Sequence, residues 1–239
     1  MSAEVAGGRV VLVTGATGIL GTVVAKRFGA DGARLVLVGT DQGRLASAAR
    51  DAALEEGRWL PVVADLLDPA DARRAASEAV AAFERIDVLV HLVGGWKGGT
   101  PVVDLDPDEL RWMLDRHLWT TLNVVQAVVP GMIERRYGRV LALSAPFAEK
   151  PAAKGATYAI AKGAEEVLLR TLAREVDEGV TANVLVVRKI DTQRERETDP
   201  SPKNAGWALP EEIAEALLFL ASPDAAAING QRIPLDGRA

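Results

Sequence analysis

No cysteine occurs anywhere in the 239 residues. Disulfides, thiolate metal sites and thiol nucleophiles are therefore excluded, and nothing indicates an oxidising compartment. Aromatic residues make up only 5% and there are two histidines, so no metal site is expected. No apolar run approaches the ~20 residues that a membrane-crossing helix needs. Met1 to Gly8 has neither the charged start nor the apolar stretch of a signal peptide. Basic residues are outnumbered, 28 Lys and Arg against 33 Asp and Glu, for a net charge of −5. A nucleic acid is therefore not an expected partner. These absences point to a cytoplasmic protein that acts on small molecules.

What is present is an alternation. Apolar runs of strand length recur at Arg9 to Val13, Arg34 to Val38, Leu60 to Val63, Val88 to Leu92, Arg139 to Leu143, Thr181 to Val187 and Gln231 to Leu235. Near-continuous Val and Leu runs are what strands covered on both faces require. Ala-rich stretches such as Leu45 to Glu56 and Pro69 to Glu84 suit helices packed closely on a sheet. Asp106-Pro107-Asp108-Glu109 opens the longest helix, with Asp106 as N-cap and Glu109 at the capping-box position, running to about Val129. Arg188 to Leu209, rich in charge and proline, reads as a mobile loop. The expected fold is α/β: one doubly wound Rossmann domain over residues 1–239, with a seven-stranded parallel sheet flanked by helices.

The first strand runs into Thr14-Gly15-Ala16-Thr17-Gly18-Ile19-Leu20-Gly21 and then a helical segment. Glycines there allow close approach of a pyrophosphate, and the free N–H groups of the helix start stabilise its charge. A glycine turn used only for tight strand-to-helix packing is the plainer alternative. The second strand ends at Val38-Gly39-Thr40-Asp41, where a carboxylate would bind the ribose of NAD and an arginine the 2′-phosphate of NADP. Asp41 stands slightly late for the first role and Arg44 can reach for the second, so NADPH is preferred over NADH. Asp65, after the third strand, can accept from an adenine amino group or cap the approach to a helix.

These features, with Asp87-Val88-Leu89-Val90 leading to Gly94, Tyr158 with Lys162, Asn183 in the sixth strand and the segment Pro210 to Gly237, resemble the short-chain dehydrogenase/reductase family over nearly the whole chain. Tyr158 and Lys162 lie four residues apart, on one helical face. The resemblance implies that Tyr158 exchanges a proton with the substrate. It implies that Lys162 binds the nicotinamide ribose and lowers the tyrosine pKa by its charge. It also assigns to NAD(P)H the residues Gly15, Thr17, Gly18, Ile19, Gly21, Thr40, Asp65, Leu66, Val93, Gly94, Gly95, Ile190 and Thr192. Family members usually pair through long helices corresponding to Asp106 to Val129 and Thr157 to Glu175, so a homodimer or homotetramer is expected.

The chain departs from the family at three places. Ala145 stands where the family has a serine, with Ser144 one position early. His117 stands where it has an asparagine, either to relay a proton or to pack the helix. Val187-Arg188 replaces its Pro-Gly. Together with Val93-Gly94-Gly95-Trp96-Lys97-Gly98-Gly99, Trp119-Thr120 and Asp191-Thr192, these features are similar to dihydropteridine reductases, which reduce a quinonoid ring. Trp96 is then a candidate to stack on a planar substrate or else covers the sheet edge. Phe147 and Trp207 are candidate apolar walls. Three functions fit these residues: a reductase of a carbonyl, imine or quinonoid ring, a ketone or alcohol oxidoreductase with Ser144 in the serine role, and a cofactor-binding regulatory protein without turnover.

Overall fold

The computed structural model describes residues 8–176 and 179–236. The stretch from Met1 to Gly7, read above for a signal peptide, and Gly237, at the end of the family-like C-terminal segment, lie outside the described residues. Seven strands, β1 (Val10–Thr14), β2 (Arg34–Gly39), β3 (Trp59–Val63), β4 (Val88–His91), β5 (Gly138–Ser144), β6 (Val180–Val187) and β7 (Arg232–Leu235), form one sheet in the order β3-β2-β1-β4-β5-β6-β7. Every pairing is parallel. Each strand falls within one residue of its expected bounds. Winding proceeds outward from β1 to β3, then jumps back to β4 beside β1 and continues the other way, so the sheet reverses between β1 and β4. A crevice opens there, beyond the carboxyl ends of the strands.

Helices cover both faces. On one side α1 (Ile19–Ala30), α2 (Gln42–Asp51) and α8 (Pro210–Leu220) enclose an apolar core built on Val11, Val13, Leu35 and Leu37. On the other, α3 (Pro69–Phe83), α5 (Thr120–Glu134) and α6 (Ala156–Glu175) cover Val10, Leu12, Val36 and Leu89. Alternate residues of each strand thus enter opposite cores, which explains the unbroken Val and Leu runs. No helix among the described residues is long and apolar enough to cross a membrane.

Several helix bounds differ from expectation. Helix α2 starts three residues early because the Asp41 carboxylate accepts from Arg44 N at 2.7 Å, and it stops at Asp51, before a turn in which Ala53 takes φ 52°. Asp106 caps α4 (Pro107–Leu114) through Asp108 N, but the expected capping box does not form, since Glu109 Oε2 is buried without a hydrogen-bond partner. The long helix continues past Val129 to Glu134. Pro130 does not end it, because Met132 beyond is fully buried and this packing outweighs local propensity. Between α4 and α5 the backbone makes a turn of π-helix at Asp115–Trp119. The stretch expected as an irregular loop contains a short helix, α7 (Glu195–Thr198), whose first N–H groups are capped by the Asp191 carboxylate, and Ile190 pairs with Ala208 in parallel register.

At the reversal, β1 and β4 are fastened by side chains as well as backbone. Leu92 N donates to Thr14 Oγ1 at 3.2 Å, leaving the Thr14 hydroxyl proton for His91 Nδ1 at 2.8 Å. His91 Nε2 then faces Thr120 Oγ1 at 3.4 Å, whose own proton goes to Arg116 O at 2.7 Å. This pattern needs a neutral imidazole, and complete burial lowers the His91 pKa to about 4 from 6.5. Unfolding frees His91 to take up a proton between those values, so its contribution is present above pH 6.5 and is lost as pH falls toward 4. The loss amounts to about 3 kcal/mol. Denaturant titrations should show stability falling by about that amount from pH 7 to pH 4, and a smaller fall in His91→Asn. An equal fall in the variant would show that His91 carries no linkage.

Candidate active site

The crevice at the reversal is a cleft of about 530 Å³. Its wall starts at the β1–α1 turn with Gly15, Thr17 and Gly18, passes Thr40 and Arg44 after β2, reaches Asp65 and Leu66 after β3, and closes on Val93 and Gly94 after β4. A dinucleotide fits this wall for three reasons. Helix α1 is capped by Gly18 with no side-chain bond and has no acidic residue in its first turn, so its free N–H groups and positive end suit a pyrophosphate. Gly15 takes φ +64° with its Cβ direction only 2.9 Å from Leu92 O, so the turn packs backbone against backbone. On the adenosine side, Asn123 of α5 holds the β3–α3 loop by donating to Leu66 O at 2.9 Å and Leu67 O at 3.1 Å.

The individual glycines differ in their work. A Cβ on Gly18 would meet nothing nearer than Gly15 O at 3.4 Å, whereas one on Gly21 would lie 2.4 Å from Gly15 O and 2.7 Å from Ala16 Cα. Gly21 therefore lets α1 press against the turn from inside instead of opening space in the cleft. Gly94 and Gly95 play a similar part for α4 and the π turn, since added Cβ atoms would lie 2.9 Å from His117 Cε1 and 2.7 Å from Trp112. Asp65 lines the cleft, but its Oδ1 already accepts from Leu67 N at 3.0 Å, which is the turn-making alternative. Asp41 is committed to capping α2, while Arg44 lines the cleft.

Tyr158 and Lys162 sit on the first turns of α6. The Tyr158 ring meets His117 edge-on, centroids 5.8 Å apart, and Phe147 at 6.0 Å. Burial pushes the phenol above its ordinary value, Lys162 opposes this and Glu165 adds to it. Lys162, itself buried, donates to Leu143 O and to Glu165 Oε2, both at 2.7 Å. An ammonium has three N–H donors, and these bonds use two of them. His117 is fully buried, with Nε2 3.0 Å from Gly95 O. The loop that follows Gly95 is tied down on α6, where Thr157 Oγ1 donates to Lys97 O at 2.7 Å and Gly99 N to Lys154 O at 2.8 Å.

The other expected residues lie further out. Ala145 is buried at the family's serine position, and the neighbouring Ser144 Oγ is buried without a hydrogen-bond partner. Ile19, Gly21, Gly95, Ile190 and Thr192 do not line the main cleft, and Thr192 is exposed. Trp96 is 65% exposed and does not line the main cleft. Phe147 lines a second hollow, of about 520 Å³, with Val102, Ala152 and Ile160. Trp207 is buried beneath Lys189, whose Nζ sits 3.5 Å from its ring centroid and pairs with Glu195. Sequence reasoning missed Trp112, Asp115 and Arg116 on the cleft rim. It also missed Glu165. Glu165 stands three residues after Lys162, a spacing that faces the lysine and is the one signal by which it could be found.

The comparisons agree with this architecture. Residues 15–237 match the family model described as Enoyl-(Acyl carrier protein) reductase. The chain is 29% identical over 246 residues to the 2,3-dihydroxy-2,3-dihydro-p-cumate dehydrogenase of Pseudomonas putida, covering 96% of this chain and 93% of that one. It is 28% identical over 241 residues to the 3-oxoacyl-acyl-carrier-protein reductase FabG of Escherichia coli, covering 96% of each. A crystal structure of a short-chain dehydrogenase from Bacillus anthracis superposes with a TM-score of 0.86 at 26% identity, covering 96% of this chain and 95% of that one. With a Rossmann-type sheet, a glycine-walled cleft at its reversal and relatives that are dehydrogenases and reductases, the chain belongs to the short-chain dehydrogenase/reductase family and is an NAD(P)-dependent oxidoreductase.

Proposed function

We propose that this chain is a reductase that delivers hydride from NADPH to a carbonyl, imine or quinonoid ring, with Tyr158 donating the proton. The observation that carries this reading is the environment of Tyr158. Burial holds its phenol above the ordinary value, so it is protonated through the neutral range and is fitted to give a proton. A reduced nicotinamide bound in the cleft would supply the hydride. Lys162 would hold the ribose with its remaining N–H, keeping that group beside the tyrosine. Phe147 and His117 brace the phenol ring from two directions, so the hydroxyl is presented in one place.

Ala145 supports the quinonoid member of this substrate class. A ketone oxygen gains from a second hydroxyl donor as charge develops on it, and Ala145 supplies none. A flat, electron-poor ring needs less help, because hydride addition restores a stabilised ring system. Ser144 is the alternative donor, favoured by its buried and unpartnered Oγ, and it would make the chain a ketone or alcohol oxidoreductase. NADPH is preferred because Arg44 lines the cleft beside Thr40 while Asp41 is held at the start of α2. The exposed Trp119 and Ile133 at the ends of α5, and Ile160 and Val167 on α6, support pairing of two or four copies through these helices.

Tyr158→Phe keeps the ring and removes the transferable proton. Turnover should fall by roughly 10²- to 10⁴-fold with cofactor affinity nearly unchanged, and full activity in steady-state assays would remove Tyr158 from the mechanism. Ser144→Ala in the same assays separates the substrates: no loss fits quinonoid reduction, and a large loss fits ketone chemistry. Arg44→Ser should raise the Kd for NADPH about tenfold by fluorescence titration and leave NADH almost unaffected. Equal effects on both would remove the preference. Light scattering should give two or four times the 25.4 kDa chain mass, and the monomer mass at micromolar concentration would exclude the pairing.

A further inference from the structure

The reduction described above makes no use of Glu165, although its side chain is only 1% exposed. Burying a carboxylate is costly unless its charge is matched. The match comes from two elements at once. From its own helix, Lys162 Nζ approaches Oε2 to 2.7 Å. From the π turn, His117 Nδ1 lies 3.5 Å from the same oxygen and has no hydrogen-bond partner. The other ring nitrogen, Nε2, faces the carbonyl of Gly95 at 3.0 Å. A carbonyl only accepts, so Nε2 carries a hydrogen. The π turn, with its extra residue, brings His117 over Gly94, where a Cβ would lie 2.9 Å from its Cε1.

Lys162 alone would draw Tyr158 toward the phenolate. Its ammonium is instead shared with a buried carboxylate on the same helical face, three residues from Lys162 and seven from Tyr158. We propose that Glu165 is a positioning residue for this site: by pairing with Lys162 and facing His117 it offsets the lysine's charge at Tyr158 and keeps the phenol a proton donor. The directions of titration agree with this geometry. Burial raises Tyr158 and Glu165 adds to that rise against Lys162. Burial works to raise Glu165 itself, but the adjacent Lys162 ammonium outweighs it and holds the carboxylate ionised.

The titratable groups around Glu165 are few. Helix α6 presents Lys162 and Tyr158, the π turn presents His117, and β4 contributes His91. Strand β6 and the short turn Pro146–Ala148 also pack on α6 and contain no ionisable side chain. Helix α4 carries Asp108, Glu109 and Arg111, of which Asp108 and Arg111 pair with each other at the surface. The π turn adds Asp115 and Arg116, and both line the cleft instead.

This inference rests on Tyr158 as the proton donor, and its test needs no turnover. Tyrosinate absorbance is followed against pH in the cofactor-free protein. The chain has two tyrosines, and Tyr158→Phe identifies which transition belongs to Tyr158. Glu165→Gln should lower the Tyr158 midpoint by about one pH unit, and the alkaline limb of kcat/KM for reduction should move down with it. Glu165→Asp, which keeps the charge, should restore most of the shift. An unchanged midpoint in Glu165→Gln overturns the proposal. Should Glu165→Gln not fold, Lys162→Met/Glu165→Gln leaves neither member of the pair unmatched. Loss of two opposed charges together should leave the midpoint within about half a unit of the parent. A rise of about a unit would mean that Lys162 acts on Tyr158 unopposed, and it too overturns the proposal. Full activity in Tyr158→Phe would instead remove the proton-donor role while leaving the titration result standing.

Discussion

The pairing of β1 with β4 is the contact on which the rest of this molecule depends. Thr14 stands opposite His91 in the register, and there the chain stops winding one way and starts winding the other. Both strands end at that point, so their following loops must part, one toward α1 and the other toward α4. The cleft is the space left by that parting. Its two sides are locked together by a threonine, a neutral histidine and a second threonine from the long helix. The loops that wall the cleft after β1 and β4 therefore share one foundation with the long helix α5.

A second theme is the balance of buried charge. Sites that transfer protons depend on groups whose surroundings push their affinities apart. Here the separation is made without a metal cluster among the described residues and without a thiol. Deep burial keeps His91 neutral, an adjacent ammonium keeps Glu165 ionised, and Tyr158 lies between the influence of the two. Two of the groups around them are also held by backbone carbonyls, Lys162 by Leu143 and His117 by Gly95. Rotamer freedom is small, so the electrostatic balance does not depend on flexible side chains finding one another.

Much of this could be read from the chain before folding. The Val and Leu runs identified every strand, because parallel strands buried on both faces leave no polar alternation to confuse them. The glycine turn was legible as a local spacing with a chemical reason, whereas the Tyr158 and Lys162 pair stood out only through the family resemblance. The parts that escaped are set by distant partners. Glu165 and Glu166 are neighbours of one residue type, yet one turns in to Lys162 while the other pairs with Arg232 of β7. Asp41, standing slightly late for a ribose ligand, is held by helix α2 as its cap. Gly95 is assigned to the cofactor by resemblance, and its lack of a side chain admits Trp112, itself flanked by Lys97 and Arg116.

The turn of π-helix at Asp115–Trp119 also governs how the long helix can vary. Each added residue advances a helix by about 100° of rotation, so an extra residue in one turn puts the two segments out of phase. Helix α4 therefore shows the cleft a face that contains Trp112, while α5 turns Val124, Val125 and Val128 to the sheet on a stripe that a uniform helix would have carried elsewhere. Removal of that single residue would realign the halves and force a choice between the apolar core and the catalytic surroundings. The two demands are compatible in this chain because the bulge lies between them, so the segments before and after it can diverge in sequence almost independently.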